Sequence, residues 1–211
     1  MVKILGINGS PRSKSCSAAL KAALAAAEAT GDVEVELVEL RGKKINPCMH
    51  CNKCLRDDSD RCTVFHDDMD EIYDKVFNAD AFLIMCPVYD MNITPQLAQF
   101  MSRFRSSWKK SAADPYFFTR KIGAAMSVGG TRNGGQEGVI HCIHNWYSTH
   151  GINICTGGGS TYAGASFWNP GDGSGTMDDE FGMNNAVQLG KKIAVMAKVL
   201  KSGDWDEEAL K

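Results

Sequence analysis

The chain has 211 residues, 44% of them hydrophobic and 23% charged, enough for one domain with a sizeable core. Its 23 Lys and Arg against 25 Asp and Glu give a net charge of −2, and no basic patch is interleaved with aromatics, so composition offers nothing for nucleic acid or an anionic membrane. No run approaches the apolar length that spans a bilayer, and MVKILGINGS reads as a strand and turn rather than a targeting segment, so the expectation is a cytoplasmic protein.

Val2–Ile7 is a short apolar run suited to a strand buried on both faces, and it stops at Asn8-Gly9-Ser10-Pro11, which is turn chemistry. Ser15 or Ser17 then caps a helix rich in Ala and Leu to about Glu28. A helix N-terminus offers unpaired N–H groups and a positive dipole end to a phosphate. Here Ser10, Ser15 and Ser17 add hydroxyls and Arg12 a guanidinium, while the alternative is a serine-rich turn that only caps the helix. The loop has neither G-x-x-x-x-G-K-[ST] nor G-x-G-x-x-G, which argues against a triphosphatase and weakens a dinucleotide site.

Val33–Leu40 alternates apolar residues with acids, the pattern of a strand near a sheet edge. The stretch CMHCNKCLRDDSDRC follows, holding four of the eight cysteines, Cys48, Cys51, Cys54 and Cys62, at C-x2-C-x2-C-x7-C spacing. Three crowded thiols with a fourth from a short excursion suit a [4Fe–4S] cluster. Structural zinc is the competing reading, with His50 or His66 as substitute ligands, although zinc sites more often use two separated pairs. The loop is an insertion over about 44–66, and so many unpaired-looking cysteines fit a reducing compartment.

Asp67-Asp68 opens a helix to about Asn78, and Ala81–Cys86 is another buried strand that runs into the turn Pro87-Val88-Tyr89-Asp90-Met91-Asn92. Thr94 begins a helix with Leu97, Phe100, Met101 and Phe104 at helical spacing, a core or subunit-interface stripe. Lys121–Val128 is the fourth strand, leading into Gly129–Gln136, whose glycines permit close approach to a flat or anionic ligand. A helix continues to about His150, and its histidines at 141, 144 and 150 read as surface or interface residues. Ile152–Cys155 is the fifth strand, Thr156–Met177 a long loop, and Gly182–Leu200 an amphipathic helix before a polar tail.

Five βα units in sequence imply a doubly wound α/β fold with a five-stranded parallel sheet, as one domain over 1–211. Ligands of such sheets sit outside the carboxyl ends of the strands, where loops 9–17, 87–92 and 129–136 all fall.

GSPRSKS at 9–15, PVYDMN at 87–92 and SVGGTRNGGQE at 127–137, with HNWYSTHGI at 144–152 and FWNP at 167–170, resemble the NADPH-dependent FMN reductase superfamily. With the cysteine motif added, the chain from Met1 to about Leu200 resembles that superfamily's iron–sulfur flavoprotein branch. The resemblance implies a flavodoxin-like fold, FMN, a [4Fe–4S] cluster on the four motif cysteines, and a homotetramer built from dimers. It places Ser10, Arg12, Ser15 and Ser17 on the FMN phosphate, Pro87, Val88, Tyr89 and Asn92 by the isoalloxazine, and Ser127, Gly129 and Gly130 along its other edge. Met91 stands where the family usually has a small residue, and Cys16 where Asn is common.

The implied task is electron transfer from ferredoxin or a similar one-electron redox protein to a small-molecule acceptor. Two other readings stay open: an NAD(P)H-dependent FMN or quinone reductase with structural zinc, and a non-enzymatic flavin redox sensor.

Overall fold

The structure, a computed structural model, describes residues 1–159, 161–170, 175–206 and 208–209. Parts of the 156–177 loop and of the carboxyl-terminal tail anticipated from sequence lie outside them.

Strand β1 (Val2–Asn8) leads to helix α1 (Ser15–Glu28), then β2 (Val33–Glu39), the cysteine loop with the short helix α2 (Lys53–Arg56), and α3 (Met69–Asn78). There follow β3 (Ala81–Pro87), α4 (Pro95–Ser102), a 3-10 turn at Arg103–Ser107, α5 (Trp108–Ala113), β4 (Ile122–Gly129) and α6 (Gln136–His150). The chain continues through β5 (Asn153–Ile154), β6 (Ala165–Trp168), a 3-10 turn at Gly175–Asp178 and α7 (Glu180–Ser202).

The strand order is β2-β1-β3-β4-β5, all neighbours parallel, so the chain reverses direction across the sheet between β1 and β3. This is the flavodoxin-like order, with its crevice at that switch. The acid-alternating β2 lies at the edge, as its pattern implies.

Central strands lack polar alternation because both their faces are covered. Leu5, Ile7, Phe82 and Ile84 join a core with residues of α3, α4 and α6. Ile4, Leu83 and Met85 face the opposite way, onto α1 and α7. Helices α1 and α7 meet closely because their contact is built from Ala and Gly: a Cβ on Gly190 would stand 2.1 Å from the Ala23 carbonyl oxygen.

The fifth sheet position differs from the expected single strand at Ile152–Cys155. Only Asn153 and Ile154 pair there, with Ile122 and Gly123. The chain then leaves the sheet and returns, so that β6 pairs with Met126–Gly129 farther along the same strand. Two short segments thus share one edge of β4, and the second lies within what sequence presents as loop. Helix boundaries also extend, α7 beginning at Glu180 where the Asp179 side chain accepts from Gly182 N–H. Among the described residues, no helix is long and apolar enough to cross a membrane.

Candidate functional site

A cleft opens where β1, β3 and β4 end. Its walls are Ser10, Arg12, Lys14, Ser15 and Cys16 from the first loop and α1, Pro87, Val88 and Tyr89 from the second, and Val128, Gly129, Gly130 and Asn169 from the third and from the end of β6. Ser17, Asn92 and Ser127 are placed differently. The Ser17 hydroxyl turns inward and donates to Glu39 Oε1 at 2.6 Å, while Asn8 Nδ2 donates to the other carboxylate oxygen at 2.6 Å. Asn92 is exposed and Ser127 is buried within β4, neither reaching the cleft wall.

The first loop is held in shape by short-range bonds. Asn8 Oδ1 accepts from Ser10 N–H at 3.0 Å, and the Ser10 hydroxyl accepts from Arg12 N–H at 3.1 Å. The cap position of α1 is Lys14 rather than the expected Ser15 or Ser17, and the Lys14 side chain makes no capping bond, so the amino end of the helix faces the cleft with Arg12 and Lys14 beside it. That arrangement of backbone N–H groups, hydroxyls and two cations has the chemistry an anion requires. Cys16 contributes no thiolate: burial, reinforced by Cys86, pushes its thiol up to about 12 against the pull of Ser10 and Arg12.

The second loop is a tight hairpin turn. Tyr89 and Asn92 exchange both backbone hydrogen bonds at 2.9 Å, with Asp90 and Met91 between them at φ +47° and +64°. Those angles define a type I′ turn, which Gly and Asn adopt more readily than Met. The turn leans on the third loop, where a Cβ on Gly135, already at φ +99°, would stand 2.9 Å from Met91 Sδ.

Gln136, buried at the start of α6, fixes that third loop. Its Nε2 donates to Thr131 O at 2.8 Å and Phe167 O at 3.2 Å, and its Oε1 accepts from Gly134 N–H at 2.8 Å. Asn169 completes the enclosure, donating from Nδ2 to the Ser15 hydroxyl and to Thr176 Oγ1, each at 3.1 Å. Lys14 and Asn169 escaped the residue-by-residue reading; the FWNP stretch at 167–170 was the available signal for the latter.

The cysteine loop forms a second site with no wall residue in common with the cleft. Its neck is closed where Asp68 Oδ2 accepts from Lys44 N–H at 2.5 Å and Asp67 Oδ2 from Asn46 N–H at 2.9 Å. Cys48, Cys51, Cys54 and Cys62 all line one small cavity, together with Met49, Val64, Phe65, Arg103 and others. His50 and Asn52 adopt φ of +54° and +57°, so the chain bends sharply between Cys48 and Cys51 and again between Cys51 and Cys54. Partial burial raises the Cys54 thiol, and Cys62, Cys48 and Cys51 raise it further by the mutual repulsion expected of close thiolates. The loop docks on the segment after β3: Cys48 N–H donates to the Ser102 hydroxyl at 3.2 Å and Arg105 Nη2 to Asn52 Oδ1 at 3.0 Å.

The imidazoles stand apart from these sites. His141 is exposed, whereas His144 and His150 are packed inward, His150 among aromatic rings, which corrects the surface reading of those two.

A flavodoxin-type sheet with an anion-receiving cleft at its switch point and a cysteine-walled cavity on the loop after β2 defines a flavodoxin-like redox class. The comparisons narrow it: residues 2–164 match the NADPH-dependent FMN reductase family, and the chain belongs to the iron–sulfur flavoprotein branch of that family. It is 37% identical over 201 residues to an iron–sulfur flavoprotein of Methanosarcina thermophila, covering 95% of this chain and 97% of the relative. An iron–sulfur flavoprotein of Archaeoglobus fulgidus is 38% identical over 200 residues, covering 94% and 98%. Among solved structures, RosB with a bound riboflavin-phosphate intermediate superposes with a TM-score of 0.72 at 17% identity, over 100% of this chain and 85% of that one. An archaeal flavodoxin gives 0.57 at 14% identity over 93% and 99%, which speaks to fold alone.

Proposed function

We propose that this chain is an electron-transfer iron–sulfur flavoprotein, holding FMN in the cleft and a [4Fe–4S] cluster on Cys48, Cys51, Cys54 and Cys62. The observation that carries this is the presence of two separate sites on one chain, an anion-receiving cleft and a cavity walled by four thiols. When bound, FMN supplies one- or two-electron chemistry and the cluster one-electron chemistry.

The chain's own residues do the binding. Ser10, Arg12, Lys14 and Ser15 would hold the phosphate, and Pro87–Tyr89, Gly129 and Gly130 would flank the ring. The donor set of the second site is soft thiolate, which suits iron–sulfur chemistry.

On this reading ferredoxin or a similar protein delivers single electrons and a small molecule accepts pairs. The family pattern's NADPH-dependent description keeps a nicotinamide donor as the second reading. A homotetramer built from dimers is consistent with the exposed apolar residues Phe181, Val195, Met196 and Val199 on α7. A reducing cytoplasm suits the eight free cysteines.

The test is anaerobic purification followed by flavin release, iron, sulfide and zinc analysis. The expected result is one FMN with about four iron and four sulfide per chain. Stoichiometric zinc without iron, or failure to bind added FMN, overturns the assignment. Rapid mixing with reduced ferredoxin or NADPH then separates the two donors.

A further inference from the structure

Arg103 begins the 3-10 turn after α4 and is 2% exposed, the largest fully buried side chain among the described residues. Its Nη1 donates to Asp67 Oδ2 at 2.7 Å and Asn46 O at 3.0 Å, and Nη2 reaches Phe65 O at 3.5 Å. These bonds lock the neck of the cysteine loop. They also leave Nε as a buried donor with no partner.

A buried unpaired N–H is costly, and more so on a charged group. Such an atom is satisfied by a water, an ion or a bound group, and here the cavity beside it is walled by four thiols. Arg103 lines the same cavity as the four thiols. Asp67 alone already balances the charge of Arg103, so the unused donor points to an acceptor of another kind.

We propose that Arg103 Nε–H donates a hydrogen bond to a sulfur of the iron–sulfur cluster held in this cavity, and thereby raises the cluster's reduction potential. The inference rests on the cluster reading of the four cysteines. Reduction adds an electron to a group already anionic with its thiolates, so a fixed donor and a nearby cation favour the reduced form. Arg103 is thus a positioning residue with two tasks, closing the loop through Nη1 and tuning through Nε.

Arg103→Lys separates them, since it keeps a cation for Asp67 but has no Nε donor in the guanidinium plane. In the anaerobic FMN-loaded protein, an EPR-monitored redox titration is expected to show the variant's cluster potential shifted negative while the flavin potential stays. A tenfold change in the reduction equilibrium reads as about 59 mV for this one-electron couple. A variant with full iron and sulfide but the wild-type potential overturns the proposal.

Should Arg103→Lys not retain its cluster, a second measurement decides. Protein labelled with ¹⁵N-arginine, with Arg56, Arg61 and Arg105 changed to Lys, should show ¹⁵N hyperfine coupling to the reduced cluster by pulsed EPR. Absence of that coupling overturns the hydrogen bond. Wild-type protein without iron and sulfide overturns instead the cluster reading beneath it, so the two failures are distinct.

Discussion

The Thr94 hydroxyl donates to the Gly9 carbonyl at 2.6 Å and accepts from Leu97 N–H at 3.3 Å. One side chain therefore caps α4 and fastens the loop after β3 to the loop after β1, two walls of the same cleft. Thr94→Val keeps the shape and removes both bonds, leaving a buried carbonyl and an uncapped helix. The expected loss is about 2 kcal/mol, or ~4–8 °C in Tm for a chain of this size. FMN affinity should fall in parallel while Thr94→Ser retains both. Flavin titration and thermal unfolding of the two variants check this, and equal behaviour of Val and Ser would show that the hydroxyl is idle.

Arg12 and Lys14 are exposed at the amino end of α1 and make no ion pair among the described residues. Neither holds the fold together, so Arg12→Ala should leave the melting curve unchanged. Loss of one charge-assisted bond to a phosphate costs about 1.5–3 kcal/mol, a tenfold or greater rise in the FMN dissociation constant. Riboflavin, lacking the phosphate, should bind wild type and variant alike. A variant that discriminates equally against both ligands would move the phosphate away from this loop.

Gly129 sits against Gln136, where a Cβ would stand 2.6 Å from Nε2. Because Gln136 is bonded at both ends of its amide, it cannot swing aside without releasing Thr131, Gly134 and Phe167. Gly129→Ala should therefore disorder the third loop and weaken flavin binding. Adding Gln136→Ala removes the obstacle, and the double variant should be less impaired than the sum of the singles. Additive effects in flavin titrations would place the damage elsewhere.

Much of this site was legible because it follows from strand ends. The apolar runs of β1, β3 and β4 mark strands buried on both faces, and the turn chemistry after each marks the cleft. The cysteine spacing likewise announced a common cavity. What escaped depends on partners distant in sequence. Ser17 reads as a phosphate donor until Glu39, 22 residues on, takes its hydroxyl. The reciprocal backbone bonds between Asn92 and Tyr89 across the type I′ turn were likewise not legible, since Met91 is an unusual residue for such a turn. Strand β6 hides because its four residues alternate buried and exposed and pair only with the far half of β4. Arg103 carries no signal of its own in the sequence, and only the folded loop shows it buried against Asp67.

His150 gives stability a pH dependence of fixed sign. It packs against Phe104, Phe118 and Trp146 with ring centroids 6.2, 5.4 and 5.0 Å away, and burial pushes it down to about 4. In the unfolded chain it titrates near 6.5. The unfolded state thus binds this proton first as pH falls. The contribution is fully present above about pH 6.5, is lost progressively toward pH 4, and levels off below. Each pH unit between those values removes at most about 1.4 kcal/mol, for a total on the order of 3 kcal/mol. His144, buried and near His141, is shifted the same way and adds to the slope. Asp67, where the Arg103 and Asn46 bonds outweigh burial to hold the carboxyl low, loses its contribution only at lower pH. His150→Phe fills the same aromatic niche without a titrating group, giving up only the 3.4 Å contact with the Ser107 hydroxyl. Urea unfolding of both proteins between pH 7.5 and 5 should show a shallower fall for the variant, the wild type losing up to about 2 kcal/mol more across that window. Parallel curves across that window would mean that His150 protonates as freely in the fold as outside it.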